Sequence, residues 1–127
     1  MKGVDAKLRT ALARGHVIDI TTTGRKSGEP RRIEIVFHNL GGRIYISGQP
    51  RPEERAWLTN LKANPHFTFH LKGEPSADLP ATARVITEEK ERREVLTQVA
   101  RIWKRDDVDR MVRESPLIEV TLDDGNS

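Results

Sequence analysis

Apolar residues along this chain recur in two rhythms, and the changes between them mark the elements. From Arg32 they alternate, with Ile33, Ile35 and Phe37 on one face; after Asn39-Leu40-Gly41-Gly42 the alternation resumes with Ile44 and Ile46. Two such runs around a Gly-Gly pair predict a hairpin. His16 to Thr23 is rich in β-branched residues and predicts a preceding strand that ends at Gly24. Phe67, Phe69 and Leu71 predict a fourth strand, Ala81 to Thr87 a fifth and Leu117 to Leu122 a sixth, with Gly73 to Leu79 as the loop before the fifth. The other rhythm is helical. Asp5 to Arg14, stopped by Gly15, predicts a short first helix, and Glu53 to Ala63 carries Trp57, Leu58 and Leu61 on one side before Asn64-Pro65 ends it. Glu88, Glu89 and Glu91 open a longer helix with Val95, Leu96, Val99, Ile102 and Trp103 at three- and four-residue steps. A short helix over Asp107 to Glu114 follows, Pro116 interrupts, and the tail from Asp123 to Ser127 is expected to fray. Six short strands with helices between them favour a small barrel with packed helices over a parallel βαβ sheet.

The 127 residues suit one domain, 1–127, since no linker, repeat or low-complexity tract divides them. Hydrophobic residues make up 35% and charged residues 32%, enough for a modest core under a charged surface. The chain shows no apolar run long enough for a membrane span and no secretory h-region at its start, which predicts a cytoplasmic protein without an integral membrane segment. It has no cysteine, so disulfides, a thiol nucleophile and thiolate-held metals are excluded. Any redox chemistry then needs a borrowed cofactor.

Charge adds a location. Gly24 to Arg32 holds four of the 22 cations and one of the 19 acids, leaving 18 of each elsewhere, so the whole net charge of +3 sits in nine residues. The two glycines there let backbone N–H groups turn toward a ligand, Ser27 adds a hydroxyl, and Arg25, Lys26 and Arg31 add charge-assisted donors. That composition describes an anion cradle for a small acidic partner, or a basic loop serving solubility. It matches neither a Walker loop nor a Rossmann fingerprint in its glycine spacing. Nucleic-acid binding is disfavoured, because aromatics are 5% and none interleaves with the cations to stack bases. A second cluster, Trp57, Asn60 and Asn64, puts an indole and two carboxamides on one helical face; from the pattern alone core packing is the better reading of Trp57 and Leu61 and a helix C-cap that of Asn64, while a mid-helix Asn60 has no such explanation. His66 and His70 share a strand face, but no third ligand suggests a metal, and no nucleophile elbow suggests a serine triad.

The ordered motifs Thr22-Thr23-Gly24-Arg25-Lys26-Ser27-Gly28-x-Pro30-Arg31, then Ile44-Tyr45-Ile46-Ser47-Gly48, then Trp57-x-x-Asn60-Leu61-x-Ala63-Asn64-Pro65 resemble the deazaflavin-dependent nitroreductase family. Its members are coenzyme F420-dependent oxidoreductases with the split β-barrel fold also used by flavin-binding pyridoxamine phosphate oxidases. The resemblance spans Val17 to about Leu71, with the final strand in the expected place. It implies a mainly β fold with helices (α+β), a six-stranded split β-barrel of the FMN-binding type. It further implies that Arg25, Lys26, Ser27, Gly28 and Arg31 hold the phosphate and acidic tail of F420, that Ile46, Ser47 and Gly48 lie along its ring system with their backbone amides, and that Trp57 and Asn60 line the neighbouring wall. F420 is expected ahead of FMN or FAD, because it carries phosphate and several carboxylates. The implied reaction is hydride transfer to a small electrophile such as a quinone, an enone or a nitroaromatic, by a monomer or homodimer. The shorter N-terminal segment and the lone tyrosine, Tyr45, depart from members that reduce nitro groups. No catalytic side chain is nominated; His38, His66 and His70 are the remaining candidates for a proton donor. The competing reading is a split barrel that binds a flavin, a tetrapyrrole or a fatty-acyl ligand without turnover.

Overall fold

The structure, a computed structural model, describes residues 6–14, 17–73 and 76–123. In chain order these are α1 (Ala6–Arg14), β1 (Val17–Thr23), β2 (Pro30–Leu40), β3 (Arg43–Ser47), α2 (Ala56–Ala63), β4 (His66–Leu71), β5 (Ala77–Val85), α3 (Glu89–Trp103), α4 (Val108–Glu114) and β6 (Leu117–Leu122). The strands close into one antiparallel barrel in the order β1-β2-β3-β6-β5-β4, with β4 returning to β1. This is the small barrel with packed helices that the strand count favours and the α+β split barrel that the resemblance implies. Among the described residues no helix is long and apolar enough to cross a membrane.

The interior follows from the alternation. Ile18, Ile20, Phe37, Ile44, Ile46, Phe67, Phe69, Leu71, Ala81, Ala83, Ile118 and Val120 fill the lumen, and Phe37 and Phe69 meet edge to face at 5.1 Å. Trp57, Leu58 and Leu61 of α2 and Ala11 and Leu12 of α1 belong to the same core, so both helices cover it. A second core lies between Tyr45 and Leu117 of the barrel and α3 with α4, built on Ile86, Val95, Leu96, Val99, Ala100, Met111 and Val112. The β2–β3 hairpin closes through Gly41 and Gly42, whose φ angles of 63° and 91° demand residues without a Cβ penalty.

Several boundaries differ from the sequence expectation, most for a visible reason. β5 begins at Ala77, inside the expected loop, because Ala77 and Asp78 already pair with Leu71 and His70. Pro80 is tolerated within it: its carbonyl accepts the Asp123 N–H at 2.8 Å, just past the end of β6, so its missing N–H falls where that ladder has run out. The same bond, with Thr82 donating to the Asp123 carboxylate at 2.7 Å, holds Asp123 in place instead of leaving it frayed. β5 ends at Val85, two residues short of the expected Thr87, although the Ile86 N–H still reaches Leu117 O in register with the ladder. α2 starts at Ala56, not Glu53, because Arg55 is extended and its guanidinium turns back to the Gln49 carbonyl. The expected helix start at Asp5, the stop at Gly15, the strand start at His16 and the tail beyond Asp123 lie outside the described residues.

One asymmetry of the barrel matters for function. β1 pairs with β2 from Pro30 to Val36, but β3 pairs with it only from Phe37 to Leu40. Among the described residues the first half of β2 is therefore held on one side only, and the barrel is open along that edge.

Candidate functional site

The cationic segment is the β1–β2 connection, and its shape is fixed internally. Gly24 N–H donates to Glu29 O and Gly28 N–H to Gly24 O, both at 2.8 Å. Glu29 N–H donates to Ser27 Oγ at 3.1 Å, which leaves the serine proton free to donate outward. A Cβ on Gly24 would stand 2.8 Å from Ser27 Oγ and 3.1 Å from Glu29 O, so this turn needs glycine.

This loop, β1, β2 and α2 enclose a cavity of about 320 Å³ lined by Thr22, Gly24, Arg25, Lys26, Ser27, Arg31, Ile33, Ala56, Trp57 and Asn60. Register explains the grouping. Thr22 pairs with Arg31 and Ile20 with Ile33, so their side chains continue the inward face of the barrel at its open end. Ile35, two residues along that face, lines the next cavity, about 480 Å³, with Val36, Ser47, Gly48, Gln49, Trp103 and Arg105. Both border the open edge of β2, Ile33 lining one and Ile35 the other, and they outline a groove along it that is cationic at the first cavity and walled by Ile35, Val36 and Trp103 at the second.

Its electrostatics are one-sided. Arg32 pairs with Asp19 at 2.9 Å on the outer surface, whereas among the described residues Arg25, Lys26 and Arg31 belong to no ion pair. Glu54 stands near Arg25 but is engaged by Lys62 and Thr59, whose hydrogen bonds hold its carboxyl below the ordinary range. No carboxylate or imidazole is among the residues lining either cavity. A larger concavity of about 670 Å³ on the other side of α2 is lined by both signs: five carboxylates, Glu53, Glu54, Glu89, Asp109 and Glu114, share it with six cations, of which Lys62 is engaged by Glu54, Arg93 by Asp109, and Arg92 by the carbonyls of Ile86, Val112 and Ser115.

Of the residues the sequence singles out, Arg25, Lys26, Ser27, Arg31, Trp57 and Asn60 are brought together around the first cavity, and Ser47 and Gly48 lie at the second. Gly28 lines neither; it closes the loop at φ 72°. The Ile46 side chain is fully buried in the barrel core, and its backbone is shared by the β2 and β6 ladders. Ser47 Oγ is committed to Pro116 O at 2.8 Å. Asn60 is buried, and its carboxamide is taken up by Arg25 and Thr22. Asn64 caps α2, its N–H on Asn60 O and its Oδ1 accepting from His66 N–H.

None of the three histidines lines the groove. His70 is bound on the barrel exterior between Thr21 Oγ1 (2.6 Å) and Asp78 Oδ1 (2.7 Å), a bond that lowers the Asp78 carboxyl below its ordinary value. His66 is exposed beside Thr82. His38 lies against the second core with its ring 5.3 Å from Trp103, and burial pushes its pKa down. Sequence reasoning missed Trp103 and Arg105. Trp103 fits the packing stripe of α3, and Arg105 follows a left-handed turn at Lys104 (φ 57°) that nothing in the residue types announces. Among the described residues no three His, Asp or Glu side chains gather as metal ligands.

The model of the F420H(2)-dependent quinone reductase family matches residues 1–123. Among solved structures, an F420-H2 dependent reductase superposes with a TM-score of 0.63 at 24% identity, over 83% of this chain and 93% of its own. A protein described as an F420 reductase gives 0.68 at 13%, over 96% and 94%. A conserved hypothetical protein from Mycobacterium tuberculosis gives 0.73 at 16%, over 94% and 82%. At these identities the structural likeness is one of fold, and it is the same split barrel.

Proposed function

The chain belongs to the F420H(2)-dependent quinone reductase family and is an F420-dependent oxidoreductase, and from that membership we propose that it reduces a small electrophile, a quinone, an enone or a nitroaromatic, held over the groove beside β2. The observation that carries this reading is the division of the groove: three cations outside any ion pair at one end, an indole and aliphatic side chains at the other, and no acid between. That donor set fits a cofactor with a phosphorylated, carboxylate-bearing tail and a flat ring. Arg25, Lys26 and Arg31, with the Ser27 hydroxyl, would hold the phosphate and acidic tail, and Gly28 keeps their loop closed. Ser47 and Gly48 would flank the ring, with Ile46 behind them in the core, and Trp57 and Asn60 back the cradle. When bound, reduced F420 supplies the hydride, so the protein needs no nucleophile or metal of its own. The chain's own residues orient the two reactants and exclude water: Trp103 and Val36 narrow the ring end, and Trp57 closes the cradle from α2. With no acid at the groove, the second half of the reduction takes its proton from solvent.

Binding of F420, FMN and FAD measured side by side at low and physiological ionic strength tests the cradle; F420 binds tightest and loses affinity as salt rises. Tighter FMN binding at physiological ionic strength overturns it. Oxidation of reduced F420 by a panel of quinones, enones and nitroaromatics tests the substrate class, and no turnover with any of the three returns the protein to the binding-module reading.

A further inference from the structure

We infer that Thr22, which neither the charge map nor the cavity chemistry nominates, is a positioning residue of the cradle, acting through Asn60 to set where Arg25 stands. The inference rests on the reading that the cradle holds an anionic cofactor.

Three hydrogen bonds carry it. Asn60 Oδ1 accepts the Arg25 backbone N–H at 3.2 Å and Arg25 Nη1 at 3.1 Å, so one carbonyl fixes both the backbone and the guanidinium of a loop arginine otherwise exposed to solvent. Asn60 Nδ2 donates to Thr22 Oγ1 at 3.1 Å. Both Thr22 and Asn60 are buried, at 2% and 4% exposure, so the bond between them is largely shielded from bulk solvent.

A carboxamide is nearly symmetric in shape, and its orientation is decided by its partners. Arg25 offers only donors. An Asn60 turned the wrong way would face its NH₂ toward the Arg25 N–H and guanidinium, repelling both. The donor-only Arg25 thus sets the orientation, and Thr22 Oγ1, accepting from Nδ2 on the other side, holds the carboxamide in place against it. The remaining guanidinium donors of Arg25 are then aimed by the barrel wall instead of sampling the many rotamers of a surface arginine. Thr22 lies on β1 within the closed sheet and Asn60 within α2, so the relay ties the loop to the two rigid elements that border it.

The test compares Thr22→Val, which keeps the shape and removes the acceptor, with Thr22→Ser, which keeps the acceptor, each alone and combined with Arg25→Ala in the full chain. Thr22→Val weakens F420 binding about tenfold, and Thr22→Ser stays within about twofold of wild type. In the Arg25→Ala background Thr22→Val costs less than about twofold, because the residue it positions is gone. Equal affinity for Thr22→Val and wild type, or an undiminished loss in the Arg25→Ala background, overturns the inference; the latter would mark Thr22 as a structural residue or a direct contact. A readout without cofactor separates this from the reading it rests on. Hydrogen exchange of the Arg25 backbone amide in the free protein is slow in wild type and Thr22→Ser and fast in Thr22→Val. Failure of the wild type to bind F420 would sink the cradle reading, and unchanged Arg25 exchange in Thr22→Val would sink the relay whichever cofactor binds.

Discussion

Arg25, Lys26 and Arg31 are exposed, close together and, among the described residues, outside any ion pair. Removing one should therefore be felt in binding and not in folding. Arg25→Ala or Lys26→Ala removes a charge-assisted contact worth roughly 1.5 to 3 kcal/mol, which weakens F420 binding about ten- to a hundredfold. Both variants keep the wild-type thermal midpoint: Arg25→Ala still leaves its backbone N–H on Asn60 Oδ1, so no buried acceptor is orphaned. A collapse of the midpoint with unchanged affinity would make these side chains structural. These cations are legible in the sequence because charge concentration survives without a fold. Thr22 is not, since in a row of three threonines β propensity alone accounts for it, and only register shows which one turns inward. The burial of the Ile46 side chain is illegible for the same reason. Alternation puts Ile44 and Ile46 on one face without saying that this face is the core.

At the scale of elements, periodicity finds α3 correctly but says nothing of Arg92 beyond its being polar. In the structure its guanidinium is the staple of the second core, donating to Val112 O at 2.8 Å, Ile86 O at 2.9 Å and Ser115 O at 2.6 Å, and so tying α3 to α4 and to the ends of β5 and β6. Burial lowers its pKa, and the carbonyl cluster holds the charge in place. A lysine cannot reach three separated carbonyls from one planar fork. Arg92→Lys should destabilise the protein by about 2 kcal/mol, read as a lower urea midpoint, with F420 affinity of the folded protein unchanged because Arg92 is not at the groove. An unshifted midpoint would show that packing alone holds α3 and α4 together. The elements misjudged from sequence, β5 and the start of α2, are those where a proline or an arginine is satisfied by a partner distant in the chain. Pro80 reads as a breaker until the end of β6 is known to lie beside it.

The whole molecule joins a closed barrel to a helical layer, and His38 sits at that junction, at 4% exposure beside Trp103 with its Nε2 unpartnered among the described residues. Six antiparallel strands were countable from the sequence; the opening along β2 was not, because it depends on β3 stopping short, and the groove exists only because of it. The seam gives the whole fold a pH dependence whose sign follows from His38. Burial lowers its folded pKa below the ordinary 6.5, so the unfolded chain takes up the proton first as pH falls. Stability from the neutral buried ring is fully present above about 6.5 and is lost as pH drops through that value toward the folded pKa. A second loss comes later. Hydrogen bonds from Arg84 to Glu91, and from Lys72 and Arg32 to Asp19, depress carboxyls whose ordinary values are 4.5 and 3.8, so their contribution persists until the acid side of that range. Urea midpoints measured between pH 8 and pH 5 should therefore fall in the wild type, and His38→Leu should flatten that limb while leaving the steeper loss below about pH 4. Because Trp103 forms the wall between His38 and the groove, protonation there should also loosen the ring end, so F420 affinity in the wild type declines over the same interval and stays level in His38→Leu. A variant that keeps the full slope between pH 8 and pH 5 would show that His38 does not set it and leave the seam silent.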